Sequence, residues 1–146
     1  MKKNILYVSF LLFTLILSAC GASTPEPAQQ DEAAAVSSTA LFQIIKADGT
    51  KFDVTLDAVK ALPLATLTAE GKVEEGPYLS DILALAGVTE FSEVTLTGSS
   101  NPATLTFEQV DENTILDFNN HGTMKLSSTY IPKANWTKDV AQITVK

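Results

Sequence analysis

Few side chains in this chain are equipped for chemistry, and each type is scarce. There is one cysteine, Cys20, one histidine, His121, and one tryptophan, Trp136. All ten basic residues are lysine, so no guanidinium is available. A single cysteine excludes an internal disulfide, a CxxC redox pair and a multi-cysteine zinc or iron–sulfur site. A single histidine excludes a His-rich metal site. A Ser-His-Asp triad has only His121 to use, and no G-x-S-x-G elbow accompanies it. Gly71 and Gly76 have P-loop spacing, but Pro77-Tyr78 stands where Lys and Ser/Thr are required, and no G-x-G-x-x-G or D-x-D-x-D-G loop occurs. Among 17 acidic residues, Glu74-Glu75 is the most conspicuous pair for glycoside chemistry, and it reads as a solvated loop. Without arginine, a site for an anion must use lysine, backbone N–H groups and hydroxyls. The net charge of −7 argues against nucleic acid as a partner.

Cys20 has the clearest expected job. Met1-Lys2-Lys3 is a basic start, and Ile5 to Leu17 is almost wholly apolar. As a helix that stretch spans about 20 Å, short of the roughly 30 Å hydrocarbon core. It therefore reads as the hydrophobic region of an export signal. Leu17-Ser18-Ala19-Cys20 follows at once and resembles the bacterial lipobox. The resemblance implies a signal peptide over residues 1–19, a diacylglyceryl group on the Cys20 thiol, and an extracytoplasmic protein anchored to a bacterial membrane by its N-terminal lipid. Several acyl chains on one residue hold stably where one is marginal. Without residues 1–19 the balance becomes 8 lysines against 17 acids, about −9, which anionic headgroups repel. Residues 20–40 comprise the lipidated cysteine and a small, polar, acidic, proline-containing stretch with no aromatic residue. It reads as a flexible linker that holds a domain off the surface. Asn135-Trp136-Thr137 fits a glycosylation acceptor, incidental in a bacterial host.

The remaining residues, 41–146, suffice for one two-layered domain. Leu41–Lys46 and Lys51–Val54 read as strands joined by a hairpin turn at Asp48-Gly49. Thr55 is placed to cap a short helix over Leu56–Leu62, stopped by Pro63. Leu64–Ala69 alternates as a strand, and Gly71–Gly76 reads as a loop. Pro77–Ala86 is the clearest helix: Leu79, Ile82, Leu83 and Ala86 recur at i, i+3, i+4 and i+7, and Gly87 ends it. Glu93–Thr97 and Ala103–Phe107 form a hairpin, and Phe107–Asn113 a helical turn. Thr114–Phe118 is a strand, followed by a turn at Asn119–Gly122. Met124–Ile131 is extended, and Asp139–Val145 is the last strand. The expected class is α+β: a single domain with a mixed, mainly antiparallel sheet and a few short helices.

Val54 to Val145 resembles the oxidoreductase molybdopterin-binding domain of sulfite-oxidase type. Val54–Pro63 is similar to that family's "t-L-x-x-L-x-x-L-P". Gly76–Val88 resembles its "G-v-x-L-x-d-L-L-x-x-A-G" helix. Asn120-His121-Gly122 with Met124-Lys125-Leu126 and Pro132 is similar to a worn "h-G-x-P-x-R-x-x-x-P". Asn135–Ile143 resembles the closing "K-W-v-x-x-I". The resemblance implies a molybdopterin cofactor, with molybdenum held by a cysteine thiolate ahead of the "G-v-x-L" helix and arginines holding phosphate and anionic substrate. This chain departs at those points. Leu64–Gly76 contains no cysteine, and Lys125 stands where an arginine is expected. Molybdenum prefers its thiolate, and no other side chain here substitutes for it.

Four residues are then candidates to line a ligand site. Tyr78 opens the best helix, where backbone N–H groups favour an anion; otherwise it covers the core. His121 can donate to a ligand oxygen, or simply bond its turn. Lys125 takes the arginine position. Trp136 can stack on a planar ligand, or anchor the last strand. The expected function is a membrane-anchored, non-catalytic binding module for a small molecule or envelope protein, with no cofactor and no metal. The alternatives are a molybdopterin oxidoreductase that keeps the cofactor without its cysteine ligand, a hydrolase using His121, and a purely structural envelope component.

Overall fold

The computed structural model describes residues 39–146. The expected signal peptide, Cys20 and nearly all of the linker lie outside the described residues. Among those described, no helix is long and apolar enough to cross a membrane.

Strand β1 (Ala40–Ile45) turns back through Asp48-Gly49 into β2 (Lys51–Thr55). The Asp48 carboxylate accepts the Thr50 N–H at 2.8 Å, and Gly49 takes φ +83°, which a side chain resists. Thr55 caps α1 (Leu56–Lys60) by accepting the Ala58 N–H at 3.3 Å, and the helix buries Val59. Strand β3 (Ala65–Ala69) pairs with β4 (Lys72–Gly76). Helix α2 (Leu79–Leu85) buries Leu79, Ile82 and Leu83. Then come β5 (Glu93–Thr97), β6 (Ala103–Thr106), a 3-10 turn at Phe107–Gln109, β7 (Thr114–Phe118) and β8 (Met124–Ser128). A 3-10 turn at Lys133–Asn135 precedes β9 (Gln142–Val145).

The main sheet has the order β2-β1-β9-β5-β6. Only the β1–β9 pairing is parallel; the rest are antiparallel. Two further hairpins, β3–β4 and β7–β8, stand apart from it. This is the expected α+β class.

Three boundaries differ from the sequence reading. Within the expected Gly71–Gly76 loop, Lys72–Gly76 is a strand. Glu70 (φ 48°) and Gly71 (φ 74°) form a two-residue left-handed turn, whose twist matches an antiparallel hairpin. The strand was hidden because Lys72, Glu74 and Glu75 give it no apolar alternation. The last strand starts at Gln142 rather than Asp139, because Asp139 adopts φ 46° and breaks the extended run. Regular pairing of β8 stops at Ser128, short of Ile131.

The β7–β8 hairpin is a wall between two apolar clusters. Successive strand side chains point to opposite faces. Leu116, Met124 and Leu126 therefore join the main core with Ile44, Leu83, Leu105 and Ile143. Ile115 turns the other way and meets Leu67, Ala69 and Trp136 in a smaller cluster. That second face carries the candidate site.

Candidate functional site

Lys125 lies on β8 opposite Asp117 of β7, on the same face of the hairpin as Ile115 and Ser127. Its Nζ is 2.8 Å from Asp117 Oδ2 and 3.1 Å from Glu74 Oε1 of β4. One ammonium thus ties two hairpins together. After β8 the chain returns alongside it: Leu126 N–H donates to the Thr137 carbonyl at 2.9 Å, and Val140 N–H donates to Met124 at 2.8 Å. That return places Trp136 in the smaller cluster, only 2% exposed. Its Nε1–H donates to the carbonyls of Ser128 (3.0 Å) and Ile131 (3.2 Å). Lys125 Nζ lies 5.5 Å from the ring centroid and Lys133 Nζ lies 5.9 Å from it. Tyr78, at the N-cap of α2, packs against the same cluster.

Tyr78, Lys125 and Trp136, chosen from separate segments, therefore converge on one face. His121 does not join them. It is exposed in the β7–β8 turn, where its N–H donates to Asn119 Oδ1 at 2.9 Å and Asp139 is the nearby carboxylate. Asp139 itself accepts from Ser99, Thr123 and Asn119, which clamps that end of the fold. Trp136 is too buried to stack on a ligand; it forms the floor behind two ammoniums.

The residues not anticipated are Glu74, Asp117, Lys72, Lys133 and Ser127. Asp117 was legible in principle, since alternation along Thr114–Phe118 opposes it to Leu116. Glu74 was concealed by the missed strand. Nothing near Lys133 in sequence indicates its position over the ring.

Burial and pairing compete within the triad. Burial is the largest influence on Asp117, and with Glu74 beside it outweighs Lys125, so its carboxyl sits above the ordinary range. Burial also pushes Glu74 up, but hydrogen bonds from Lys125 and Asp117 prevail and hold it below the ordinary range. Burial pulls Lys125 down, and its bonds to Asp117 and Glu74 more than reverse this, so its pKa is raised above 10.5.

The linkage signs follow. Glu74 contributes stability above the ordinary glutamate range and loses it as pH falls through its depressed pKa. Asp117 opposes this, its cost appearing as pH rises from the ordinary aspartate range to its raised value. Lys125 contributes below about 10.5 and loses that contribution as pH rises past its folded pKa. Replacing Lys125 by Met leaves two carboxylates facing each other. We expect a loss of about 2 kcal/mol at pH 7, shrinking at pH 3.5, where protonation relieves the repulsion left in the variant. Urea denaturation at both pH values measures it; equal losses at the two pH values contradict the triad.

An apolar cleft of about 240 Å³ lies elsewhere, between Leu83 and Ala84 of α2 and an edge-to-face pair of Phe91 and Phe107, centroids 5.1 Å apart. None of the four candidate residues lines it.

No family model matches this chain, and no curated protein matches it either. Among solved structures it resembles the sulfane dehydrogenase SoxCD from Paracoccus pantotrophus, with a TM-score of 0.57 and 19% sequence identity. The likeness covers 71% of this chain and 37% of that one. It is a likeness of fold, and the fold is the sulfite-oxidase-type architecture that the motifs led us to expect.

Proposed function

We propose that this chain is an extracytoplasmic lipoprotein, held on a bacterial membrane through Cys20, whose domain binds a small molecule instead of running a redox reaction. The observation that carries the reading is the donor set on the Tyr78–Lys125–Trp136 face. From the stretch that holds the metal-ligating cysteine in the resembling family, the side chains reaching this face include those of Ala65, Leu67, Ala69 and Glu74. None is a thiolate, and the chain has no guanidinium to grip a pterin phosphate. The Glu74 and Asp117 oxygens are already engaged by Lys125. Among the described residues, no cluster of three His, Cys, Asp or Glu side chains is placed to hold a metal. These residues do not fit molybdopterin as the family holds it. What they do offer is a rigid polar face on an apolar floor, which suits recognition.

Two experiments test the halves of this reading. Cell fractionation is expected to place the wild-type chain with the membrane and Cys20→Ala in the soluble fraction; equal partition of the two contradicts the anchor. A screen of neutral and charged small molecules, read by the fluorescence of the sole tryptophan, is expected to find a saturable ligand whose binding Tyr78→Ala or Lys125→Met weakens. A screen with no such ligand contradicts the binding role.

A further inference from the structure

The apolar cleft beside α2 is built by small residues on one side and by two rings on the other. Ser80 and Ala84, one helical turn apart, leave α2 thin there. Phe91 and Phe107 face them as an edge-to-face pair. Phe107 is 48% exposed, the most exposed phenylalanine among the described residues. Hydrogen bonds around it keep it there. Phe107 N–H donates to the Ser92 carbonyl at 3.2 Å, and Val110 N–H donates to the Phe107 carbonyl at 3.1 Å. The Thr114 hydroxyl donates to the Gln109 carbonyl at 2.7 Å. On the helix side, Gly87 takes φ 71° and Val88 N–H returns to the Leu83 carbonyl at 3.1 Å. Both walls are therefore set before a ligand arrives, which lowers the ordering cost of binding. A dry apolar cavity of about 150 Å³ already takes a benzene molecule. At about 240 Å³ this cleft has room for one ring and a short arm.

The surroundings select the charge of that arm. Every lining residue falls within residues 73–124, a stretch without a single lysine. Asp81, Glu90 and Glu108 adjoin lining residues in the chain, and among the described residues none of the three forms an ion pair. Two lysines come from other segments. Lys146 is committed to Glu93 at 3.0 Å. Lys46 shares a neighbouring hollow, across Val88 and Thr89, with both Asp48 and Glu90. The cleft is thus apolar within and acidic around. An ammonium gains at such a rim, and a carboxylate is repelled. Ser80 and Thr89 add hydroxyl oxygens that can accept from it.

We propose that this cleft is a ligand site for a small hydrophobic amine, with one aromatic ring between Ala84 and the Phe91–Phe107 pair and its ammonium at the acidic rim. The site shares no residue with the Tyr78–Lys125–Trp136 face.

The test titrates the full chain, in detergent, with phenethylamine, 2-phenylethanol and phenylacetate. These carry one and the same ring with a positive, a neutral and a negative group. Binding is read by saturation transfer from protein to ring protons, with protein-free detergent as the blank. Saturable binding of phenethylamine is expected, about fivefold tighter than that of phenylacetate at low ionic strength. The difference should shrink in about 0.5 M sodium chloride. Ala84→Leu fills the cleft from an exposed helical position, and Phe107→Ala removes an exposed wall. Each should weaken binding by about tenfold or more, with circular dichroism confirming the fold. Glu90→Gln should narrow the preference for the amine and spare 2-phenylethanol. Leu64→Ala removes an exposed apolar side chain outside the cleft and should change nothing. No saturable binding of any of the three compounds, or undiminished binding in both Ala84→Leu and Phe107→Ala, overturns the site. Phenylacetate or 2-phenylethanol binding as tightly as phenethylamine overturns the choice of an amine.

Discussion

Replacing Trp136 by alanine should cost about 3–5 kcal/mol of folding stability, the largest loss expected from any single truncation of the second cluster. The ring is buried against Leu67, Ala69 and Ile115, which come from two different hairpins. Its removal opens a cavity that a strand-built wall cannot easily collapse into. The carbonyls of Ser128 and Ile131 lose their shared donor as well. For a domain of this size the melting temperature should fall by about 15 °C or more. Trp136→Phe keeps most of the packing and loses only the donor, so about 1–2 kcal/mol is expected. Urea denaturation followed by circular dichroism measures both. A Trp136→Ala loss under about 1 kcal/mol would mean the ring is not the floor of this face.

Gly76→Ala should be nearly as damaging, by a different cause. Gly76 pairs with Ala65 on one side and lies against β7 on the other. An added Cβ would collide with the Leu116 carbonyl, 2.7 Å from its carbon. The obstacle is backbone, so it cannot rotate aside. The strands must part, which strains the Leu116 N–H to Pro77 carbonyl bond (3.0 Å) and the Tyr78–Ile115 bridge. We expect a loss of roughly 3 kcal/mol. The same shift carries Glu74 away from Lys125, so the triad loses one member. Gly71→Ala is the control: its Cβ meets nothing, and only the left-handed φ of 74° is strained, at about 1–2 kcal/mol. If Gly76→Ala costs no more than Gly71→Ala, the close approach of β4 and β7 is not a constraint.

Much of the fold was legible because local signals agreed with the tertiary outcome. Asp48-Gly49 marks a hairpin, Thr55 is a cap, and Leu79, Ile82 and Leu83 share one helical face. Strand β4 was not legible, because its inward residues are a lysine, a glutamate and a glycine. Their reason for being there is tertiary: Glu74 meets Lys125, and Gly76 lets β7 approach. Asp139 misled for a similar reason. Its left-handed backbone is held by Ser99, Asn119 and Thr123, all distant in sequence. The site was half legible. Rare residue types and the family resemblance drew attention to Tyr78, Lys125 and Trp136, which the fold brings to one face, and to His121, which lies at another end of the hairpin. Lys133 reaches the Trp136 ring from a turn that the Glu70 bond holds, which no spacing reveals.

We propose that the fold shared with the sulfane dehydrogenase serves here as a recognition surface, without the cofactor chemistry of the family the sequence resembles. It is tested most directly by elemental analysis of the full chain, purified from cells whose molybdopterin pathway is intact. The account predicts no molybdenum above background. One molybdenum per chain, retained through purification, would contradict it.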